Sequence, residues 1–248
     1  MDRGIIEANR SYLNSIPQWI NDADYRASRS GYGCPERLLP LLNLPIDNAL
    51  TYTDLLVDAA ARMAGSVDYL EIGVSVGKNF FVMANALHDA RLYGVDWERI
   101  NPTLERRFEL VGARAPVAHY RFRTNDITYV QGDVFDDEAW CALAGRRFNV
   151  IFSDACHQQH ALLREFEMLR QLDLIDRTKL FMLWDDLDRD PDGPVSRAFW
   201  HIAGMLRSEL DIPDDGAFML QANGWLGQHE HTHTVGVINS IGLTTRSY

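Results

Sequence analysis

The sequence predicts an α/β protein: a doubly wound, mostly parallel sheet of seven strands with an antiparallel last strand, behind a helical N-terminal extension. Three observations predict it. From Val67 onward, apolar runs of strand length alternate with stretches of helical period. The first run passes into Glu71-Ile72-Gly73-Val74-Ser75-Val76-Gly77, and a helical pattern follows at once. Five runs end in an acid or an acid-bearing turn: Glu71, Asp96, Asp133, Asp154 and Asp185. In parallel α/β sheets the ligand crevice lies outside the carboxyl ends of the strands, so these acids share one edge.

The elements follow in order. Residues 1–50 read as a helical lid or oligomerisation segment, in which Tyr12, Trp19, Tyr25 and Tyr32 are interleaved with charges and Pro35, Pro40 and Pro45 interrupt the chain. Residues 51–248 read as the ligand-binding domain. A helix over 51–64 leads into strand one, 67–72. Gly73 permits a sharp turn and Gly77 a close backbone approach to a ligand. A helix over 78–89 precedes strand two, 92–95, which ends at Asp96. A helix over 104–111 and an irregular stretch to Asn125 precede strand three, 127–131, which ends at Gly132-Asp133. Strand four, 148–153, ends at Asp154. Leu162, Phe166 and Leu169 then form a helical stripe. Strand five, 180–184, ends at Asp185-Asp186. A helix over 195–210 and an antiparallel hairpin of strands 217–222 and 234–239 complete the chain.

Composition narrows the function. A chain of 248 residues, 46% hydrophobic, fits one α/β domain with an extension. The net charge is −11 and no lysine/arginine block occurs, which argues against a nucleic-acid partner and an anionic membrane surface. No run approaches the roughly 18 apolar residues of a membrane span. Met1-Asp2-Arg3-Gly4 lacks the apolar core of a signal peptide. Cys34, Cys141 and Cys156 show no metal or redox spacing, so a reduced cytoplasmic protein is expected.

Glu71-x-Gly73-x-x-x-Gly77, Asp96 after strand two and Asp133 after strand three resemble the class I S-adenosylmethionine-dependent methyltransferases, over residues 51–239. Within that class, Asp154-Ala155-Cys156-His157 and Trp184-Asp185-Asp186 are similar to the metal-dependent O-methyltransferases of catechol and macrolide-sugar type. The resemblance departs at Ser75, where many relatives have glycine, and at Ala155-Cys156, where the sugar-type enzymes often have one. It implies a Rossmann-like methyltransferase sheet. It also implies S-adenosylmethionine held by Glu71, Gly73, Ser75, Gly77, Asp96, Trp97, Asp133, Val134 and Asp154. The cofactor's sulfonium and amino groups are cationic and suit acidic strand ends. Asp96 can accept from ribose hydroxyls, Asp133 from the exocyclic amine, and Trp97 can pack on adenine or serve as a core aromatic. A nicotinamide dehydrogenase would need Gly-x-Gly-x-x-Gly, which Ser75 interrupts.

Strands four and five are joined by one crossover helix and so are expected side by side, about 4.8 Å apart. Asp154, Asp185 and Asp186 then converge, and three close carboxylates repel unless a proton or cation intervenes. Oxygen ligands favour Mg²⁺, with Mn²⁺ or Ca²⁺ as alternatives. The competing reading makes Asp154 a helix cap and Asp185-Asp186 part of an exposed acidic loop with Asp188, Asp190 and Asp192. His157 is the candidate general base, or else a helix-end histidine without chemistry. His229, His231 and His233 alternate and share one face of a strand. They are a Zn²⁺ or Fe²⁺ site, a polar loop, or a contact to substrate.

The expected function is methyl transfer to a hydroxyl of a small molecule of sugar, polyphenol or secondary-metabolite type. Two alternatives stay open: metal-independent N-, O- or C-methyl transfer, and a non-catalytic subunit that keeps the cofactor fold. The expected partner is a small hydroxylated substrate, with homo-oligomerisation through the N-terminal segment.

Overall fold

A computed structural model of the chain describes residues 2–15, 40–41, 44–229 and 231–248. Trp19, Tyr25, Tyr32, Pro35 and Cys34 lie outside the described residues, as does most of the segment read as a lid.

Helix α1 (Arg3–Asn14) begins at Asp2, whose carboxylate accepts from the Gly4 amide at 2.8 Å. It packs against α2 (Tyr52–Arg62) and α3 (Lys78–Ala86). Its anchor is polar. Arg10 is buried, ion-paired to the buried Asp54, and donates to the carbonyls of Asp47 and Ala49 at 2.7 and 2.8 Å. Asn9 donates to the other oxygen of Asp54 at 2.9 Å. Asp54 also closes the capping box that starts α2, accepting from the Thr51 amide at 2.9 Å. One carboxylate thus ties two helices together.

The sheet has nine strands among the described residues, in the order β3-β4-β5-β2-β1-β6-β7-β9-β8. Its centre is parallel: β5 (Asn125–Gln131), β2 (Arg91–Asp96), β1 (Asp68–Ile72), β6 (Val150–Ser153) and β7 (Phe181–Trp184). β9 (Thr232–Asn239) runs antiparallel between β7 and β8 (Ala217–Asn223), as expected of the last hairpin. All five residues of β1 are buried, because helices cover both faces. Tyr69, Phe80, Phe81 and Phe152 fill one side; Trp140, Phe148, Trp184 and Phe199 fill the other.

The structure corrects one stretch. The helix expected over 104–111 stops early: α4 spans only Pro102–Glu105, and β3 (Glu109–Arg114) begins four residues later. β3 pairs with β4 (Val117–Phe122), which pairs with β5, so the stretch expected to be irregular is an antiparallel extension of the sheet. Leu110 and Val111, at the end of the expected helix, are 57% and 59% exposed.

The remaining helices are α5 (Asp137–Cys141), α6 (Gln159–Gln171) and α7 (Pro194–Leu210). From β1 the chain winds outward through β2 to β5, then returns to β6 and β7 on the other side. The winding reverses between β1 and β6, where α/β sheets place their ligands.

Candidate functional site

The loop after β1 lies at that reversal. Gly73, Ser75 and Gly77 have φ of 85°, 49° and 80°. A Cβ on Gly73 would meet the Asp154 carbonyl oxygen at 2.4 Å and the Ala155 Cα at 2.6 Å. Glycine is therefore required there on two grounds, left-handed backbone and contact with the turn after β6. Gly77 caps α3. Below the loop Glu71 is buried and accepts from the Tyr69 hydroxyl at 2.5 Å and from Asn79 at 2.9 Å. Burial holds its carboxyl well above the ordinary range, against those two hydrogen bonds, and the nearby Asp154 and Asp96 add to the rise. Asn79 accepts from Thr53 at 2.7 Å, so α2, α3 and β1 are joined by one buried polar chain.

Asp96 ends β2 and is buried. One oxygen accepts from the amides of Val74 and Ser75 at 2.9 and 2.7 Å, the other from Glu98 at 2.9 Å. Burial raises its carboxyl against these three donors. It braces the glycine loop and keeps lone pairs for further donors. Trp97 is 60% exposed, so it is not a core aromatic. Asp133 is half-buried and accepts from the Phe135 amide at 2.9 Å. Val134 is buried, and its carbonyl accepts from Trp140 at 2.8 Å.

The acids of β6 and β7 come together with three histidines. His157 lies between two carboxylates: Nε2 is 3.1 Å from Asp154 Oδ1 and Nδ1 is 2.8 Å from Asp186 Oδ2. His233 Nδ1 is 3.1 Å from Asp185 Oδ2 and 2.8 Å from Asp186 Oδ1. His231 Nε2 is 3.9 Å from Asp186 Oδ1. Burial opposes charge on His157, but the bonds to Asp154 and Asp186 push its pKa up to about 11. Burial also opposes charge on Asp186, yet His157 and His233 hold it well below the carboxylate range. Asp185 is pushed up to about 6 by burial, with His233 pulling it down and Asp154 pushing it up. Burial raises Asp154 as well, against the pull of His157. Asp188, which was grouped with an exposed acidic loop, instead accepts from the Val195 amide at 2.7 Å near the start of α7.

Four features of the site escape the sequence reading. Tyr52 at the start of α2 is buried, with its ring edge-on to His233 at 6.0 Å. Burial raises its hydroxyl pKa, and Asp154, Asp185 and Glu71 raise it further. Glu165 on α6 is buried beneath β6 and accepts from the Ser153 hydroxyl at 2.5 Å. Asn79 orders Glu71. His231 and His233 join the acids, whereas His229 Nε2 bonds the Pro45 carbonyl at 2.9 Å and leaves the group. The signal for Tyr52 was the Thr51-x-x-Asp54 capping box, which fixes where α2 starts; nothing local marked Glu165.

A family model described as a methyltransferase domain matches residues 70–186. That stretch starts on β1 and ends on Asp186, so it contains Glu71, the glycine loop and every acid of the cluster. Residues 70–186 thus carry the sequence pattern of a methyltransferase domain. The matched stretch excludes β8, β9, His231 and His233. The comparison with curated proteins gave no match. Among solved structures, the chain is similar to magnesium protoporphyrin IX methyltransferase from Synechocystis PCC 6803 with bound S-adenosylmethionine, at 12% identity. The alignment covers 93% of this chain and 97% of that one, with TM-score 0.48. It is also similar to the plantazolicin methyltransferase BpumL in complex with a pentazolic desmethylPZN analogue and S-adenosylhomocysteine, at 13% identity, 96% and 100% coverage and TM-score 0.47. Likeness at this level carries nothing about the acceptor. Among the described residues no helix is long and apolar enough to cross a membrane.

Proposed function

We propose that this methyltransferase transfers a methyl group to a hydroxyl of a small molecule, of sugar, polyphenol or similar type, with the help of a divalent cation. The observation that carries the reading is the convergence of Asp154, Asp185 and Asp186 on the histidines at the edge where the glycine loop lies. The donor set fits a cation. Carboxylates and imidazoles are ligand types for divalent metals, and carboxylates gathered around shared histidines repel one another unless positive charge is supplied.

In this reading Glu71, the backbone of Gly73 to Gly77, Asp96 and Trp97 hold S-adenosylmethionine, with Asp133, Val134 and Asp154 closing the site. The cofactor supplies an electrophilic methyl group. A cation on Asp154, Asp185 and Asp186 would supply positive charge that favours loss of the acceptor's hydroxyl proton. His157 receives that proton at a ring nitrogen, and Asp186 orients the ring through Nδ1. His157 is a base only in its neutral form, and the two carboxylates around it favour the charged form. The base role therefore calls for those carboxylates to have other positive charge to hold.

A specific observation supports a second reading. The imidazole of His157 already bridges Asp154 and Asp186, so a proton on it can supply the charge without a metal, and transfer would then be metal-independent. One experiment separates them. The chain is stripped with chelator and incubated with S-adenosylmethionine and a panel of sugars and catechols, and S-adenosylhomocysteine is followed by mass spectrometry. Turnover should vanish in chelator and return with a divalent cation. Asp154→Ala should abolish it while S-adenosylhomocysteine still binds by calorimetry. Full turnover of Asp154→Ala in chelator would select the metal-independent reading.

A further inference from the structure

The acids of β7 face the last hairpin, and the sheet register explains why. β9 is antiparallel to β7, with Trp184 opposite Gly236. Residues of β9 before Gly236 therefore run past the carboxyl end of β7, and the Leu187 amide donates to the Thr234 carbonyl at 2.9 Å. His233 on β9 and His231, one residue before the strand, both lie against the Asp185-Asp186 turn. Their rings stack at 4.7 Å and 17°. His233 is buried and His231 is exposed to solvent.

Ligand atoms of Asp186, His231 and His233 all lie within 4.8 Å of one another. The 2.8 Å and 3.9 Å separations from Asp186 Oδ1 span the range between neighbouring donors around one metal. Metal–ligand bonds of about 2.1 Å place such donors about 3.0–3.4 Å apart in octahedral or tetrahedral sites. Asp185 Oδ2, 3.1 Å from His233 Nδ1, is a fourth donor at the same place. Asp154, by contrast, reaches Asp186 across the ring of His157. The donors gathered at one point are thus nitrogen and oxygen together, not three carboxylates.

We propose that Asp186, His231 and His233, with Asp185 beside them, form a mixed nitrogen–oxygen centre that takes a first-row transition dication such as Mn²⁺, Fe²⁺, Co²⁺ or Zn²⁺ in preference to Mg²⁺. Mg²⁺ is held by oxygen and keeps its water, whereas imidazole suits the transition metals, and two imidazoles with one carboxylate are an established ligand set for them. The inference rests on the reading that this cluster holds a divalent cation. It adds two ligands from outside the stretch that matches the methyltransferase domain.

The test uses the full chain stripped with chelator and titrated with Co²⁺, Zn²⁺ and Mg²⁺ by calorimetry. Most sites rank Co²⁺ and Zn²⁺ above Mg²⁺, so histidine dependence decides, not the order alone. His231→Ala and His233→Ala should each weaken Co²⁺ binding at least ~10-fold, since even indirect supports of metal ligands typically contribute ~10–100-fold. Mg²⁺ binding should be unchanged. His233 is buried and its variant can misfold, so two measurements stand apart from it: the exposed His231→Ala, and pulsed electron paramagnetic resonance of the Mn²⁺-loaded wild type, which should show ¹⁴N coupling from histidine. If both variants bind Co²⁺ as the wild type does and Mn²⁺ shows no ¹⁴N coupling, the inference is overturned while a carboxylate metal site stands. If no cation binds, both fall. If cations bind through the histidines but turnover persists in chelator, the centre stands and metal-assisted transfer falls.

Discussion

Glu165→Gln should make the protein more stable above neutral pH and less so in acid. Glu165 is buried under the end of β6, with one oxygen on the Ser153 hydroxyl at 2.5 Å and the other unpartnered. Burial raises its pKa from 4.5 to about 7, with the Ser153 bond and His157 lowering it and Asp154 raising it. Between those values the folded chain keeps a proton that the unfolded chain has lost. Stability is therefore full below pH ~4.5, falls as pH rises through about 7, and is level above. At about 1.4 kcal/mol per pKa unit the loss is on the order of 3 kcal/mol. Glutamine keeps an acceptor for Ser153 and does not titrate, although its amide N–H groups replace the unpartnered oxygen at a cost of about 1–3 kcal/mol. That cost is the same at every pH and cancels when the two pH values are compared. Urea unfolding in chelator at pH 4.5 and pH 8 should show the variant gaining on the wild type by roughly 3 kcal/mol between them. A pH-independent difference would refute the argument, because it would mean that Glu165 titrates alike in the folded and unfolded chains.

Three further outcomes are expected. Gly73→Ala should destabilise the fold by about 2–4 kcal/mol, from left-handed backbone and the contact with Asp154, and should abolish S-adenosylhomocysteine binding; calorimetry showing wild-type affinity would remove the loop from the cofactor site. His157→Ala should lower turnover about 10²–10⁴-fold with cofactor affinity kept, and in chelated wild type the ring should stay charged through pH 9 in histidine ¹⁵N spectra; a midpoint near 6.5 would show that Asp154 and Asp186 do not hold it as described. Arg10→Ala should cost about 3–5 kcal/mol by leaving Asp54 buried without its partner, and a change below 1 kcal/mol in urea unfolding would count against the anchor.

The sequence shows what is periodic or local. The parallel strands are legible because each is buried, and an apolar run with an acid at its end is all a central strand needs. The β3–β4 hairpin is not legible by that signal, since only Tyr120 of β4 is buried and neither strand has an apolar face to repeat. The one local cue was Pro116 between the two strands, a turn signal. The acid cluster was legible from its strand-end positions. His231 and His233 were not placed against it, because their nearness to Asp186 depends on the register of an antiparallel strand some 45 residues away.

Tyr52 connects these parts. Burial raises its hydroxyl pKa, with Asp154, Asp185 and Glu71 adding to the rise, and its ring lies edge-on to His233. Tyr52 is also the first residue of α2, and the helix start is fixed by Thr51 and Asp54. Asp54 is in turn held by Arg10 and Asn9 of α1. The N-terminal helix is thus coupled to the site through a buried carboxylate two residues from Tyr52. The α1–α2 junction thus sets the start of the helix whose first ring lies edge-on to His233, which ties the N-terminal helix to the acid cluster.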